Sequence, residues 1–189
     1  MKKNKIFIAC DSKNTKKIDE IIKNTQNSKF VIGYKFGLEF LNSKRGRSYI
    51  KKLKNNITFG DYKFCDIPNT CVSAMRSIKD LNFSYVTIHI SSGLDALKAV
   101  KKISGRTKLI GVTILTSLNN RALKEIGYSN EVRNVVLKQA KLANKAKLDA
   151  IVCSPIEVNI VKKVFKKEII TPGIRLNNKK DDQKRTLTP

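Results

Sequence analysis

The chain has 189 residues, of which 41% are apolar and 29% are charged. This length and composition fit one domain with a hydrophobic core, predicted to span residues 1–189, and exclude a disordered segment, a collagen-like repeat and a bundle of membrane helices. The 39 Lys and Arg residues outnumber the 15 Asp and Glu residues and give a formal net charge of +24, but the basic residues are spread along the whole chain.

Short apolar segments rich in β-branched residues predict seven strands. They cover residues 6–10, 31–36, 57–64, 85–90, 108–115, 149–153 and 168–174. The intervening segments show the three- and four-residue spacing of amphipathic helices, most clearly at 18–25, 71–78 and 132–143 and more weakly at 38–53, 94–103 and 156–166. This alternation predicts an α/β fold with a parallel sheet and helical crossovers.

Two parallel architectures fit the alternation: an open doubly wound sheet and a (β/α)8 barrel of the TIM type. The first strand ends in Ala9-Cys10-Asp11 and lacks the Gly-x-Gly-x-x-Gly loop that is typical of the open sheet. A barrel instead places functional residues at the carboxyl ends of many strands. Such residues follow or end every predicted strand: Asp11, Lys35, Asp61, Lys63, His89, Thr116, Ser117, Ser154 and Arg175. We therefore predict a barrel.

Seven strand–helix units are visible, whereas a closed TIM barrel has eight. The sequence stops at Thr188-Pro189, where an eighth unit would begin. The expected structure is a barrel domain that lacks its last strand and helix, either as a fragment or as a natural truncation.

The third predicted strand carries the most informative charges. Side chains alternate along a strand, so Asp61 and Lys63 should point to the same face, and Asp66 in the following loop can return over the barrel mouth. Carboxylates beside Lys63 favour its charged form, which is a poor nucleophile but a good positioned acid. Lys35 on the neighbouring strand could complete an alternating array. The competing interpretation is an ordinary ion-pair network at the rim.

The same segment predicts local structure. Tyr62 and Phe64 should face the helices, and Asn69 or Thr70 should cap the start of the next helix.

The chain start and the cysteines indicate a cytoplasmic protein. The apolar stretch that follows Lys5 is too short for a signal peptide, and no apolar run is long enough to span a bilayer. Four scattered cysteines without a Cys-x-x-Cys pair are typical of reduced thiols, and with only one His they argue against a metal site.

The segment 61–70 (DYKFCDIPNT) closely resembles the active-site signature of the orotidine 5′-phosphate decarboxylase family. Further blocks similar to the family occur in the family's order. They are Ala9-Cys10-Asp11, residues 33–37 (GYKFG), 86–89 (VTIH) with Gly93, 112–117 (VTILTS), 152–154 (VCS), 171–175 (TPGIR) and 182–185 (DQKR) before Thr188-Pro189. The resemblance covers nearly the whole chain.

This resemblance implies a homodimeric TIM barrel that uses no metal or organic cofactor. The family removes the carboxylate of orotidine 5′-phosphate to give uridine 5′-phosphate, the last step of de novo pyrimidine synthesis. Lys63 would protonate C6 of the pyrimidine, Asp61 would lie against the departing carboxylate, and Asp66 would reach the partner's site.

The resemblance also implies a set of substrate contacts. Asp11 and Lys35 would contact the ribose and orient the proton donor. Thr70 would touch the ribose in the partner's site, and Thr116 and Ser117 would bind the pyrimidine edge. Gln183 would reach the phosphate, and Arg175 belongs to the family's substrate-binding pattern.

The sequence departs from the family at two places. Cys65 stands where bacterial members commonly have His, and its position suggests a change in packing. The family also continues into an eighth strand with a phosphate-binding Gly-Arg pair, which the sequence lacks, so the activity of the chain is in question.

Three other functions have to be weighed against this resemblance. A related sugar-phosphate decarboxylase or aldolase would share the Asp-x-Lys-x-x-Asp strand but use magnesium, and an inactive barrel would retain only dimerisation. Nucleic-acid binding is disfavoured because no aromatic residues interleave with the basic residues to form a stacking platform.

Overall fold

The structure is a computed structural model, and it describes residues 5–172 and residue 185. Its centre is a parallel sheet whose strands follow one another in sequence order from first to last. The strands are β1 (Lys5–Ala9), β2 (Val31–Phe36), β3 (Ile57–Phe64), β4 (Tyr85–His89), β5 (Lys108–Val112), β6 (Ala150–Val152) and β7 (Glu168–Ile170). Consecutive parallel pairing of this kind confirms the predicted barrel-type fold, with seven strands in the described residues.

Helices connect the strands on the outside of the sheet. They are α1 (Thr15–Thr25), α2 (Leu38–Leu41), α3 (Gly46–Ile50), α4 (Pro68–Ser77), α5 (Gly93–Ile103), α6 (Asn120–Glu125), α7 (Val132–Lys145) and α8 (Val158–Val164). Short 3-10 turns occur at Lys79–Leu81, Ile90–Ser92 and Pro155–Glu157. None of the helices in residues 5–172 combines the length and apolar character needed to cross a membrane.

Local sequence explains several helix starts. The Asn14 side chain accepts hydrogen bonds from the backbone N–H groups of Lys16 and Lys17 and so caps α1. Asn119 caps α6 in the same way. The predicted cap of α4 was wrong: this helix starts at Pro68, and the residue before it is Ile67, which provides no side-chain cap. Proline is favoured in the first turn because its fixed φ suits a helix and its missing N–H would be unpaired there.

The core has two parts, one on each face of the sheet. The larger part fills the space between strands and helices and includes Phe36, Leu97 and Val136, all fully buried. The smaller part lies inside the curled sheet, where the Phe7 ring packs edge-on against the rings of Phe59 and Tyr85. Strands buried on both faces explain the nearly continuous apolar segments of the sequence.

Charged residues close one end of the curled sheet. We call Lys5, Tyr85, Lys108 and Glu168, all at strand starts, the barrel floor. The Nζ atoms of Lys5 and Lys108 lie 3.1 and 3.2 Å from the Glu168 carboxylate, and both lysines also donate to the Tyr85 hydroxyl. These contacts bring β1 and β7, the first and last strands of the sheet, together across the interior.

Candidate active site

The opposite end of the sheet, where the strands finish, carries a row of alternating charges. Asp11 follows β1, Lys35 lies on β2, and Asp61 and Lys63 lie on β3. Parallel pairing places Ala9 beside Lys35 and Lys35 beside Phe59, so the three strands deliver these side chains to one edge. We call these four residues the charged row.

Neighbouring charges within the charged row are close enough to pair. The Lys35 Nζ atom lies 3.5 Å from Asp11 Oδ1 and 3.8 Å from Asp61 Oδ2. The Lys63 Nζ atom donates to the same Asp61 oxygen at 2.6 Å. Asp61 is the most buried member, with 14% of its side chain exposed, against 56% for Asp11. A mostly buried carboxylate between two ammonium groups holds both in place through charge-assisted contacts.

The strand–face prediction for Tyr62 and Phe64 agrees with the structure. Their rings stack with centroids 5.3 Å apart, and both pack against the core between sheet and helices. Burial raises the pKa of Tyr62 to about 12, so its hydroxyl stays protonated. The charged side chains of β3 are therefore segregated from its aromatic ones.

Two predicted site residues lie apart from the charged row. Asp66 is exposed in the loop after β3, where its Oδ1 atom accepts the N–H of Ile67 at 2.7 Å, and Thr70 is exposed in the first turns of α4. Within the described part of the chain, Asp66 forms no ion pair with a lysine or arginine. In a single copy of the chain, these two side chains do not join the charged row.

The predicted pyrimidine contacts lie in a turn that follows β5. Thr116 and Ser117 are half-buried there, and the Leu118 N–H closes the turn on the Leu115 carbonyl at 3.0 Å. The remaining predicted binding residues, Arg175 and Gln183, lie outside the described residues.

Burial changes the pKa of one histidine and two cysteines at the same end of the sheet as the charged row. Burial, followed by the Lys63 ammonium, lowers the pKa of His89, which favours a neutral imidazole. Burial, followed by the Asp11 charge, raises the pKa of the Cys10 thiol to about 11, and burial raises that of Cys153 to about 12. Protonated thiols are poor nucleophiles, so neither cysteine is expected to act as a nucleophile at this edge.

The side chains of residues 5–172 and 185 contain no group of three or more His, Cys, Asp or Glu residues that could hold a metal ion. All four cysteines of the chain are free thiols.

Sequence reasoning missed a buried ion pair beside the site. Arg185 donates to the carbonyls of Ile114 and Leu115 at 2.8 and 3.0 Å and pairs with the Glu157 carboxylate. Its own carbonyl accepts from the Ser154 hydroxyl at 3.0 Å. Burial raises the pKa of Glu157, and the guanidinium opposes that shift. A basic residue among other basic residues near the chain end gave no signal of this burial.

Sequence reasoning also missed Thr87, a fully buried threonine in β4. Its hydroxyl accepts the backbone N–H of Lys63 at 2.8 Å and donates to Asp61 Oδ1 at 3.0 Å. Thr87 lies two residues before His89, so strand alternation could have predicted that both side chains point to the same face of β4.

Comparison with known proteins gives one consistent result. The sequence model of the Orotidine 5'-phosphate decarboxylase / HUMPS family matches residues 4–189. A curated orotidine 5'-phosphate decarboxylase of Wolbachia pipientis subsp. Culex pipiens is 42% identical over 193 residues, which cover 98% of this chain and 84% of the relative. One from Prochlorococcus marinus subsp. pastoris is 38% identical over 200 residues, covering 98% and 82%.

Solved structures agree with the sequence relatives. The crystal structure of orotidine 5'-phosphate decarboxylase from Lactobacillus acidophilus superposes with a TM-score of 0.80 at 30% identity, covering 90% of this chain and 81% of that one. The enzyme from Methanocaldococcus jannaschii, crystallised with the inhibitor BMP, has a TM-score of 0.76 at 24% identity, covering 92% and 79%, and supports the fold alone.

Proposed function

The chain belongs to the Orotidine 5'-phosphate decarboxylase / HUMPS family, and on that premise we propose that it is a carboxy-lyase that converts orotidine 5′-phosphate to uridine 5′-phosphate. This reaction is the last step of UMP biosynthesis. The observation that carries the proposal is the charged row, in which the Lys63 ammonium lies 2.6 Å from a mostly buried carboxylate at the mouth of a barrel-type sheet.

The charged row suits a reaction that develops negative charge on carbon. When the bond between C6 and the carboxylate breaks, CO2 leaves and its bonding electron pair stays on C6. The Lys63 ammonium stabilises that charge and then transfers a proton to C6. The Asp61 carboxylate would lie against the substrate carboxylate and disfavour the ground state, and this repulsion is relieved as CO2 departs.

The other predicted contacts would position the substrate so that C6 of the pyrimidine lies at the Lys63 ammonium. We assign Asp11 and Lys35 to the ribose hydroxyls, and Thr116 and Ser117 to the pyrimidine edge. Lys35 also pairs with Asp61 and so orients the proton donor. Arg175 and Gln183 are proposed to bind the substrate, with Gln183 at the phosphate, on the family resemblance alone.

We further propose a homodimer in which Asp66 and Thr70 complete the partner's site. Support comes from the exposure of the whole stretch 65–70, which includes Ile67 with 66% of its surface exposed. An exposed branched aliphatic residue beside exposed functional groups is expected where a second subunit covers the surface. We also propose that the protein is a single domain and acts in the cytoplasm, where its four free thiols would stay reduced.

A sugar-phosphate decarboxylase of the same family is the alternative. The curated relatives at 35–42% identity, all named orotidine 5'-phosphate decarboxylase, favour the pyrimidine substrate.

The proposal is tested by following the ultraviolet absorbance of orotidine 5′-phosphate with the purified chain. We expect an absorbance change matched by release of one CO2 for each uridine 5′-phosphate formed, and the same rate in EDTA. The parallel reaction with 3-keto-gulonate 6-phosphate, with and without Mg²⁺, should give no CO2. Turnover of the sugar phosphate alone, abolished by EDTA, would replace the proposal with the alternative.

A further inference from the structure

Lys63 adopts a backbone conformation that its position in a strand does not explain. Its φ angle is +52°, in the left-handed region that non-glycine residues rarely adopt. Two further described residues that are not glycine have positive φ, Asn82 and Lys147, and each lies just after a helix, at a helix end where this conformation is common. Lys63 instead lies inside β3, so its neighbours must stabilise this conformation.

A β-bulge accompanies the unusual conformation. Gly60 pairs with Val86 and Phe64 pairs with Ile88, so four residue steps on β3 lie opposite two steps on β4. Extra residues in one strand leave backbone groups without their regular sheet partners and redirect the side chains. At this bulge the Lys63 N–H needs an acceptor from outside the regular ladder.

Thr87 provides that acceptor and continues the hydrogen-bond chain. Its Oγ1 atom accepts the Lys63 N–H at 2.8 Å, so the hydroxyl proton is available to the Asp61 Oδ1 atom at 3.0 Å. The other Asp61 oxygen, Oδ2, accepts from the Lys63 ammonium at 2.6 Å. The backbone and the head group of Lys63 are therefore joined through one hydroxyl and one carboxylate.

We propose that Thr87 is a positioning residue of the decarboxylation site, whose hydroxyl fixes the left-handed backbone at Lys63 and turns the Asp61 carboxylate so that Oδ2 faces the Lys63 ammonium. This inference rests on the proposed function. Thr87 is fully buried and bonds to both groups, so its effect on turnover passes through them.

Thr87→Val tests the role because valine keeps the shape of threonine and removes the hydroxyl. The Lys63 N–H and Asp61 Oδ1 then lose their partner, and loss of a hydrogen bond to a charged group predicts a fall in kcat of about 10- to 100-fold. We expect KM to change less than about threefold, because the residues assigned to ribose, base and phosphate are untouched. Thr87→Ser keeps the hydroxyl and should restore kcat to within about threefold of wild type.

Thr58→Val is the matched control. Thr58 is also buried, lies on β3, and accepts a backbone N–H through its hydroxyl, that of Ser84 at 3.4 Å. Its side chain forms no hydrogen bond with a residue of the charged row, so loss of the hydroxyl should lower the melting temperature without lowering kcat. If Thr87→Val does not fold, Thr87→Cys replaces it, since the weaker thiol donor and acceptor should give an intermediate kcat.

Amide hydrogen exchange at Lys63 gives a readout that does not depend on turnover. Exchange at this amide should be faster in Thr87→Val and unchanged in Thr58→Val. Wild-type kcat and unchanged Lys63 exchange in Thr87→Val would overturn the positioning role even if wild type converts orotidine 5′-phosphate. Failure of wild type itself to convert this substrate would instead refute the proposed function.

Discussion

The Nζ atom of Lys35 lies 3.8 Å from Oδ2 of Asp61, on the adjacent strand. That oxygen also accepts a hydrogen bond from the Lys63 ammonium at 2.6 Å, so one carboxylate orients two ammonium groups that come from different strands. If either lysine is removed, Asp61 still pairs with the other one. If Asp61 is removed, the two lysines lose the carboxylate that lies between them. The carboxylate is therefore the centre of the site's charge balance.

Replacement of Lys63 by alanine should abolish decarboxylation. The variant lacks both the cation that stabilises charge at C6 and the proton donor, so we expect kcat to fall by at least about 1,000-fold. Binding of a substrate analogue, measured by calorimetry, should stay within about tenfold because Lys35 still pairs with Asp61. Lys54→Ala, at an exposed lysine before the same strand, is the control. Normal turnover by Lys63→Ala would refute its assignment as proton donor.

Mixing two inactive variants should restore activity if the site is shared between subunits. In a dimer of Lys63→Ala with Asp66→Asn, one of the two sites receives Lys63 from one chain and Asp66 from the other. Random exchange of subunits should recover about a quarter of wild-type activity. Lys63→Ala mixed with Asp61→Asn should recover none, since both residues belong to the same chain's site. Native mass spectrometry would verify subunit exchange, and no recovery despite exchange would exclude the shared site.

Replacement of Arg185 by methionine should destabilise the fold strongly. Only 5% of the Glu157 side chain is exposed, so the substitution leaves a buried carboxylate without its cation and two carbonyls without a donor. Breaking one side of such a pair costs about 3–5 kcal/mol, measurable by urea unfolding. Adding Glu157→Gln to Arg185→Met should recover part of the loss. A cost below about 1 kcal/mol for Arg185→Met would show that the pair does not hold this part of the structure.

The ion pairs of Glu168 should make the stability of the fold decrease as the pH falls into the acid range. Burial alone would raise the pKa of this carboxyl, but Lys5 and Lys108 outweigh it and hold the pKa below the ordinary value of 4.5. A lowered folded-state pKa gives stability that is present above the ordinary value and lost as pH falls through the folded-state pKa. The melting temperature of Glu168→Gln should therefore be lower than that of wild type at pH 7, and the difference should shrink below about pH 4.5. A difference that stays constant from pH 7 to pH 3 would contradict the charge pairing.

Much of the fold followed from periodicity because strands and helices alternate with clear apolar spacing. Strand ends were less predictable: the fifth strand was expected to reach residue 115 but ends at Val112, although Thr113 and Ile114 are buried. These residues stay buried beyond the end of the strand because they enter the loop whose carbonyls, at Ile114 and Leu115, accept hydrogen bonds from Arg185. Apolar character reports burial, whereas strand ends depend on hydrogen bonds to a neighbour that the sequence does not identify.

The members of the charged row were predictable because strand alternation and parallel pairing are simple geometric rules. The Lys63 conformation was not, because lysine carries no preference for positive φ and its acceptor lies 24 residues away on β4. The burial of Arg185 depends on a partner 28 residues away, Glu157. Contacts between distant residues are set by the whole fold and leave no local pattern.

The barrel floor has a consequence for the order in which the protein is made. Lys5 and Glu168 are 163 residues apart in the chain, so the ribosome releases the lysine long before its carboxylate exists. At typical translation speeds that interval is about 8 to 33 s. During this period β1 lacks its ion pair with β7, so the barrel floor is among the last parts of the nascent protein to assemble.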